Sequence, residues 1–206
     1  MIAVIDYGVG NLFSIVSSLS AVGADCVVTS DESVIRSAEK IILPGVGAFR
    51  DAISKLRSTG LDKVVVDEVK QGKPILGICL GMQMLFEESH EYGLYEGLSL
   101  LKGRVIGMEG RIASELKIPH IGWNALNIKA SHPIFKYVNE GDFVYFVHSY
   151  YASDCEDSLL ATTEYGREIT AAVAKDNVCG MQFHPEKSGE VGLSILRAFN
   201  EWSYTK

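Results

Sequence analysis

The first half of the chain alternates short apolar runs with amphipathic ones. IAVIDY at residues 2–7 predicts a buried strand, and LFSIVSSLSAVG then repeats apolar residues at helical spacing up to Gly23, a typical helix C-cap. The alternation continues with strand patterns at 26–29, 40–45 and 74–78 and helical patterns at 48–57 and 62–71. Repeated strand–helix units predict an α/β fold, with a parallel sheet covered by helices on both faces.

The second half, beyond about residue 100, has a different pattern. Short strand-like segments separated by turn residues follow one another: GRVIGM, IGWNALNI, FVYFVHS, LLATTEY, TAAVAK and CGMQFH. They predict an antiparallel or mixed extension of the sheet. Residues 191–202 return to helical spacing, and we expect this helix to pack back on the sheet. No repeat or linker marks a boundary, so residues 1–206 are predicted to form a single domain.

Composition and charge exclude several classes of protein. The 206 residues are 47% hydrophobic and 22% charged, as in ordinary globular proteins. A formal net charge of -7 without a basic cluster argues against nucleic-acid binding, which depends on Lys and Arg neutralising phosphates. No apolar run approaches the roughly 20 residues that span a bilayer, and MIAVIDYG lacks the basic leader of a signal peptide. We expect a cytoplasmic protein that binds neither nucleic acid nor membrane.

The cysteines give no sign of a metal site. Cys26, Cys79, Cys155 and Cys179 show neither CxxC nor Cys/His ligand spacing. In a reducing compartment they need not pair. We therefore expect no zinc site, no disulfide framework and no cofactor.

One cysteine lies in a distinctive pattern. GICLG at residues 77–81 follows an apolar run and precedes the helix-like stretch MQMLFEE. A nucleophile elbow needs small residues two positions before and after the nucleophile, because its strand-to-helix turn is too tight for Cβ atoms there. The N–H groups of a helix beginning near Leu80 would favour the thiolate of Cys79. The alternative is a buried apolar cysteine, the commoner role of this residue.

GMQFHPEKS near the C-terminus offers a base and an acid for that nucleophile. In an extended segment residues i and i+2 share one face, so the Glu186 carboxylate can lie beside the His184 imidazole. Pro185 favours this geometry, because it fixes its own φ and excludes the α region for the residue before it. For the tripeptide alone, an exposed turn that caps a helix is the alternative. Together with the elbow, the pair predicts a Cys-His-Glu triad.

The glycine-containing loop ILPGVGAF at residues 41–48 follows another predicted strand. Acyl transfer needs backbone N–H donors aimed at the developing oxyanion, and this loop can supply one to pair with the N–H of Leu80. A phosphate-binding loop is rejected because the GxxxxGK[ST] pattern is absent. A plain strand-ending turn is the alternative.

GICLGMQ, HPE and PGVG, in this combination and in a chain of this size, resemble the class I, or triad, glutamine amidotransferases. IDYGVGNL at 5–12, PHIGWN at 119–124 and YFVHSYY at 145–151 are similar to the branch whose glutaminase subunits serve a separate cyclase in histidine biosynthesis. The resemblance implies a flavodoxin-like fold and hydrolysis of L-glutamine to glutamate and ammonia through a cysteine thioester. It also implies a heterodimer with a (β/α)₈-barrel cyclase that receives the ammonia.

The resemblance assigns roles to residues by matching position. Cys79 is the nucleophile, His184 the general acid and base, and Glu186 the group that orients His184. Contacts to the substrate are matched by Gly47, Gln83, Ser149 and Tyr150. Backbone groups of the oxyanion hole are matched by Val46, Gly47 and Leu80. The subunit interface or the ammonia exit is matched by Asn11, Trp123, Tyr145 and Lys187.

Two of these roles have alternatives: Ser149 could be an ordinary strand-end hydroxyl, and Trp123 a core side chain. The family pattern further implies that free glutaminase subunits are weak enzymes until the PGVG loop presents its N–H to the substrate.

Three other functions stay open. A sister glutaminase serving pyridoxal phosphate or anthranilate synthesis would share the triad, and only the DYGVGN and PHIGWN stretches discriminate against it. A peptidase-like enzyme of the same fold would cleave peptides without a partner. An inactive binding module would keep the fold without the chemistry, but the intact Cys79, His184 and Glu186 argue against it.

Overall fold

An eight-stranded sheet forms the centre of the molecule in the computed structural model, which describes residues 1–204. Its strands, in spatial order, are β2 (Cys26–Thr29), β1 (Ile2–Ile5), β3 (Lys40–Leu43), β4 (Ile75–Ile78), β14 (Val178–Met181), β13 (Glu168–Lys175), β12 (Leu159–Glu164) and β9 (Asn127–Ile128). The first five strands are parallel and the last three are antiparallel. A parallel order of 2-1-3-4-5 is the flavodoxin-like arrangement, so the predicted fold is confirmed.

Within the described residues, six α-helices connect these strands or cover them. They are α1 (Leu12–Ala21), α2 (Glu32–Ser37), α3 (Phe49–Ser58), α4 (Leu61–Lys70), α5 (Leu80–Met84) and α6 (Gly189–Glu201). The periodic helices were predicted to within two residues. The short α2 was not, because its six residues offer too few turns for a periodic pattern; Asp31 caps its first amides. Within residues 1–204, every helix is too short or too polar to cross a bilayer.

Apolar side chains fill both faces of the central sheet. On one face Phe49, Leu56 and Val65, from α3 and α4, pack against alternate residues of the parallel strands. On the other face Ile15 of α1 and Phe199 of α6 do the same. Parallel strands that are buried on both faces read as unbroken apolar runs, which is why IAVI, KIIL and ILGI were recognisable from sequence.

The second half adds two smaller sheets beside the central one. In one, β8 (His120–Ala125) pairs antiparallel with β10 (Phe143–His148). The other contains β11 (Tyr150–Ser153), β7 (Arg104–Gly107), β5 (Glu88–Ser89) and β6 (Tyr95–Glu96), in that order. The predicted antiparallel extension is thus present, but it is divided among three sheets, and the two-residue strands β5 and β6 were not predicted.

Lys40 ties the central sheet to the last helix. Its side chain is buried on β3, and its ammonium Nζ donates to the carbonyl oxygens of Phe199, at 2.9 Å, and of Asn200. The last carbonyls of a helix have no partner within the helix, and a cation at this end also interacts favourably with the negative end of the helix dipole. Lys40 therefore caps the C-terminus of α6 from within the core.

Replacing Lys40 with methionine, which keeps the length of the stem, should lower the free energy of unfolding by about 1.5–3 kcal/mol, because charged hydrogen bonds to the helix end are lost. Urea unfolding followed by circular dichroism measures this change. Lys63→Met, at an exposed position of α4, is the matched control and should stay within about 0.5 kcal/mol of the original protein. Equal midpoints for the two variants would contradict the capping role.

Candidate active site

The carboxyl ends of β3, β4 and β14 meet at one edge of the central sheet, where ligands bind in open α/β folds. The PGVG loop follows β3, Cys79 follows β4, and His184 lies three residues beyond β14. Because these three strands are neighbours, the fold brings together segments that are far apart in sequence.

Cys79 occupies a strained turn between β4 and α5. Its φ of 54° and ψ of -111° lie outside the usual regions for a residue with a side chain. The flanking glycines have no room for side chains: a Cβ on Gly77 would lie 2.8 Å from the carbonyl oxygen of Gly81, and one on Gly81 would lie 1.9 Å from that of Leu43. This is the geometry of a nucleophile elbow, and it explains both glycines of GICLG.

The Cys79 sulfur is largely buried, and polar groups surround it. Sγ lies 3.8 Å from Nε2 of Gln182 and 3.9 Å from the carbonyl oxygen of Val147, and its interaction with His184 raises the pKa of that imidazole. Gln182 is fully buried, and its only signal in the sequence is its place two residues before His184.

His184 and Glu186 form a close pair. His184 Nδ1 lies 2.8 Å from Glu186 Oε1, and the two side chains are 3% and 1% exposed. The sequence prediction of contact is confirmed, but the predicted extended conformation through Glu186 is wrong. His184 is extended, whereas Pro185–Lys187 forms a 3₁₀ turn that brings the carboxylate back to the ring. Pro185 explains both, because it excludes the helical region for His184 and has the φ that begins a helical turn.

The surroundings of His184 favour its protonated form. Burial lowers the pKa of the imidazole, but the hydrogen bonds and negative charges of Cys79 and Glu186 outweigh burial and raise it to about 9. A histidine that gains a proton while the cysteine loses one gives a thiolate–imidazolium pair, the reactive form of a cysteine nucleophile.

Both backbone polar groups of His184 are connected by hydrogen bonds to Tyr145 on β10, one directly and one through Ser188. Its N–H donates to the Tyr145 carbonyl at 3.0 Å, and its carbonyl accepts from Ser188 Oγ at 2.7 Å. Ser188 Oγ also accepts from the Tyr145 N–H at 3.0 Å. The position of the candidate base is therefore tied to the strand that carries Tyr145.

The PGVG loop is held at both ends and free in the middle. Tyr7 Oη donates to the Pro44 carbonyl at 2.8 Å, and the carboxylate of Glu91 accepts from the Phe49 N–H at 2.6 Å. A Cβ on Gly45 would lie 2.7 Å from the backbone nitrogen of Gly81, so the loop packs directly on the elbow. Gly47 has a φ of +90° and open space around it. The peptide between Val46 and Gly47 is thus the part of the loop that can turn.

A pocket of about 310 Å³ opens over the sulfur, a size that suits a small ligand. All four residues matched to substrate binding line it, as do the three matched to the oxyanion hole: Val46, Gly47, Leu80, Gln83, Ser149 and Tyr150. Gln83 Nε2 donates to the Tyr150 carbonyl and to Gln182 Oε1, both at 3.0 Å, which leaves its own carbonyl oxygen for a ligand. Ser149 lies between β10 and β11, and its carbonyl accepts from Met108 N at 3.0 Å.

Glu91 and His148 also line the pocket, and the sequence analysis identified neither. Burial raises the pKa of the Glu91 carboxyl, and its hydrogen bond from Phe49 acts in the opposite direction. Glu91 lies in a loop without a local motif, whereas His148 lies within the YFVHSYY stretch, whose resemblance assigns roles only to Tyr145, Ser149 and Tyr150. Within residues 1–204, no group of three or more Asp, Glu, His or Cys side chains could hold a metal ion.

The residues matched to the interface lie on one side of the site. Trp123 on β8 faces Tyr145 on β10 across the ladder, with ring centroids 5.9 Å apart, and Lys187 Nζ lies 6.0 Å from the centre of the Tyr145 ring. Trp123 is 52% exposed, so its interpretation as a core residue is wrong. Asn11 lies at the start of α1, which contacts the 3₁₀ turn that contains Lys187.

Comparison with known proteins gives a consistent result. Residues 3–201 match the family model described as glutamine amidotransferase class-I. The chain is 54% identical over 203 residues to a protein of Caldanaerobacter subterraneus subsp. tengcongensis named imidazole glycerol phosphate synthase subunit HisH, covering 98% of each. Its identity to proteins of that name is 50% in Oceanobacillus iheyensis, with 98% of each covered, and 50% in Geobacter sulfurreducens, with 97% of this chain and 98% of the relative covered.

Solved structures agree on the fold. A structure described as glutamine amidotransferase has a TM-score of 0.74 at 17% identity and covers 96% of this chain and 98% of its own. PurLQS from Thermotoga maritima has a TM-score of 0.71 at 22% identity and covers 96% and 95%.

Proposed function

This chain belongs to the class I glutamine amidotransferase family, and from that premise we propose that it is the glutaminase subunit of an imidazole glycerol phosphate synthase in histidine biosynthesis. The observation that carries the proposal is the Cys79–His184–Glu186 group, which lies at the bottom of a pocket of suitable size. The chain is 50–54% identical to three relatives of that name over nearly its whole length, which favours this synthase over the synthases of pyridoxal phosphate or anthranilate.

The arrangement can hydrolyse an amide in two steps. The Cys79 thiolate attacks the side-chain carbonyl carbon of glutamine, and His184 donates its proton to the departing nitrogen, so that ammonia leaves and a thioester forms. Water then attacks the thioester, His184 takes its proton, and glutamate leaves as the thiolate re-forms. Glu186 fixes the ring orientation and stabilises the imidazolium.

Backbone donors stabilise the oxyanion of both steps. The Leu80 N–H is at the start of α5, directly after the nucleophile, and the peptide between Val46 and Gly47 lines the same pocket. A single oxyanion donor contributes on the order of a hundredfold in rate or more. We propose that this peptide turns into position when the partner binds, since it is the one unanchored part of its loop.

The polar groups of the pocket suit the two ends of glutamine. The Glu91 carboxylate and the free carbonyl oxygen of Gln83 can accept from an α-ammonium group, while the backbone of Ser149 and Tyr150 lines the same wall. An ammonium group that donates to a carboxylate and to a carbonyl is stabilised by charge-assisted hydrogen bonds. The pocket therefore distinguishes an amino acid from an internal peptide residue, which argues against peptidase activity.

We propose that the partner is a (β/α)₈-barrel cyclase subunit that docks on the face of β8 and β10. Ile121, Trp123 and Phe143 are 58%, 52% and 56% exposed there, an apolar group of a kind that monomers seldom leave uncovered. Because the His184 backbone bonds directly to Tyr145 on this face, the face lies beside the point where ammonia forms. Ammonia would pass from here to the cyclase, which makes imidazole glycerol phosphate and aminoimidazole carboxamide ribotide.

We also propose that the protein acts in the cytoplasm. The test of its function is a glutaminase assay of the purified chain, alone and with the cyclase subunit and its nucleotide substrate. We expect little glutamate from the chain alone and a large stimulation by the complex. Stimulation by a different synthase would support a sister glutaminase, peptide cleavage without a partner would support the peptidase, and no glutamate under any condition would support the inactive module.

Replacing Trp123 with alanine should weaken binding of the cyclase subunit at least tenfold, because large aromatic side chains at the centre of an interface carry much of its energy. Isothermal titration of the chain with the cyclase measures this. Tyr137→Ala, another half-exposed aromatic residue that pairs with Glu201 at the end of α6, is the control and should bind normally. Equal affinities for both variants would place the interface elsewhere.

A further inference from the structure

A chain of four hydrogen bonds runs from the wall of the pocket through β8 to the end of β12. His148 Nδ1 lies 2.8 Å from the Tyr150 carbonyl oxygen, and its Nε2 lies 3.2 Å from Nδ1 of His120. His120 Nε2 lies 2.9 Å from Oδ1 of Asn124. Asn124 Nδ2 in turn donates to the Glu164 carbonyl at 2.9 Å. Neither histidine belongs to the triad.

The chain needs one more proton than two neutral rings possess. The carbonyl of Tyr150 only accepts, so His148 Nδ1 must carry a proton, and a neutral His148 then offers only an acceptor to His120. At the other end, the Nδ2 bond to Glu164 orients Asn124 so that its Oδ1, also an acceptor, faces His120. His120 is therefore placed between two acceptors, and it has one proton when neutral.

Both rings are held neutral by their surroundings. Burial, together with the charges of His120 and His184, lowers the pKa of His148 to about 3, although its bond to Tyr150 opposes the shift. Burial also lowers the pKa of His120, against the effect of its bond to Asn124. The rings of Phe146 and Tyr165 stack on His120 with centroids 4.9 and 3.9 Å away, which holds the plane of the ring in place.

We propose that His120 is a two-position proton switch that connects the β8–β10 face to the glutamine pocket. In one tautomer Nδ1 carries the proton and donates to His148, and in the other Nε2 carries it and donates to Asn124; the tautomers interconvert when one nitrogen releases its proton to water and the other takes one from water. The His148 ring that holds the Tyr150 carbonyl has both of its hydrogen bonds only in the first tautomer. The inference rests on the proposed function. The inward residues His120 and Asn124 alternate on β8 with the outward Ile121 and Trp123, so a partner docked on the outer side acts on the same strand. His148 is then a positioning residue, since it acts on substrate through the Tyr150 carbonyl, which Gln83 also holds.

Two substitutions at His120 separate the positions of the proton. Asparagine is short and can place its N–H only near the former Nδ1, where it serves His148. Glutamine reaches the former Nε2 and serves Asn124 instead. We expect His120→Asn to keep the KM for glutamine within about twofold of the original, and His120→Gln to raise it about fivefold, the value of one hydrogen bond, with a smaller change in kcat. His132→Asn, at a half-buried histidine that caps a 3₁₀ turn and packs on Trp202 outside the pocket lining, is the control and should change neither.

Nitrogen-15 NMR of the histidine rings gives a second readout that needs no activity. We expect His148 to carry its proton at Nδ1, and His120 to shift proton occupancy towards Nδ1 when the cyclase subunit binds. Equal KM values for the two His120 variants, or a His120 proton that stays on one nitrogen with and without a bound partner, would overturn the inference. The NMR signal of the Trp123 indole reports separately on docking of the cyclase. If that signal does not change when the cyclase is added, the proposed function fails, and the proton positions of His148 and His120 in the free chain still test the inference.

Discussion

Replacing Cys79 with alanine should lower glutamine-dependent product formation by the complex by a factor on the order of 10⁴ or more, because without the sulfur no thioester can form. Product formation from added ammonium salt should continue at the original rate, since the cyclase then needs no glutaminase. The measurement is the appearance of imidazole glycerol phosphate with each nitrogen source. The ratio of the two rates separates lost hydrolysis from lost assembly.

The variant should fold normally, so its loss of activity can be assigned to chemistry. Alanine at position 79 has the same backbone cost at a φ of 54° as cysteine has, because each carries a Cβ. Cys155→Ala removes another buried thiol, one that lies 3.7 Å from Thr170 Oγ1 and outside the pocket, and should retain full glutaminase activity. Glutamine-dependent synthesis that survived in Cys79→Ala would rule out the nucleophile assignment.

The parts of the site that the sequence predicts best are those whose geometry is local. Gly77 and Gly81 flank the nucleophile within one turn. Each must be glycine because neighbouring backbone atoms occupy the space that a Cβ would need. The contact between His184 and Glu186 was also predictable, because only one residue separates them. Its geometry was not, since an extended strand and a 3₁₀ turn can both bring residues i and i+2 together, and Pro185 is compatible with either.

The parts that escaped prediction depend on packing between distant segments. Gln182 is recognisable as a sulfur partner only once β14 lies beside β4. His120 and His148 become neighbours because β8 pairs with β10 in one particular register, which places them directly opposite each other. A register shift of one residue would turn the side chains of the shifted strand to the other face, so the two rings would no longer lie opposite each other. The exposure of Trp123 follows from the same register.

Glu186→Gln should lower the glutaminase rate on the order of 10³–10⁴-fold while leaving the nucleophile in place, because a neutral amide can orient His184 but cannot stabilise the imidazolium. Glu186 is also one of the two groups that raise the pKa of His184 to about 9, so the pKa should fall in the variant. The decline in activity at alkaline pH, where His184 loses the proton it gives to ammonia, should therefore move to lower pH. The pH profile of kcat and NMR titration of His184 measure the two shifts.

The same substitution should change how stability depends on pH. The pKa of His184 is higher in the folded chain than the ordinary value of 6.5, so its protonation stabilises the fold fully below about pH 6.5, and this contribution is lost as the pH rises through 9. With the shift reduced, the free energy of unfolding of Glu186→Gln should vary less over this range.

Glu190→Gln, which removes an exposed carboxylate from the first turn of α6, controls for the loss of charge and should leave both pH dependences unchanged. An unaltered His184 titration in Glu186→Gln would mean that the 2.8 Å contact does not govern the protonation of the base. Activity would then depend on Cys79 and His184 alone, and Glu186 would be a structural residue of the 3₁₀ turn.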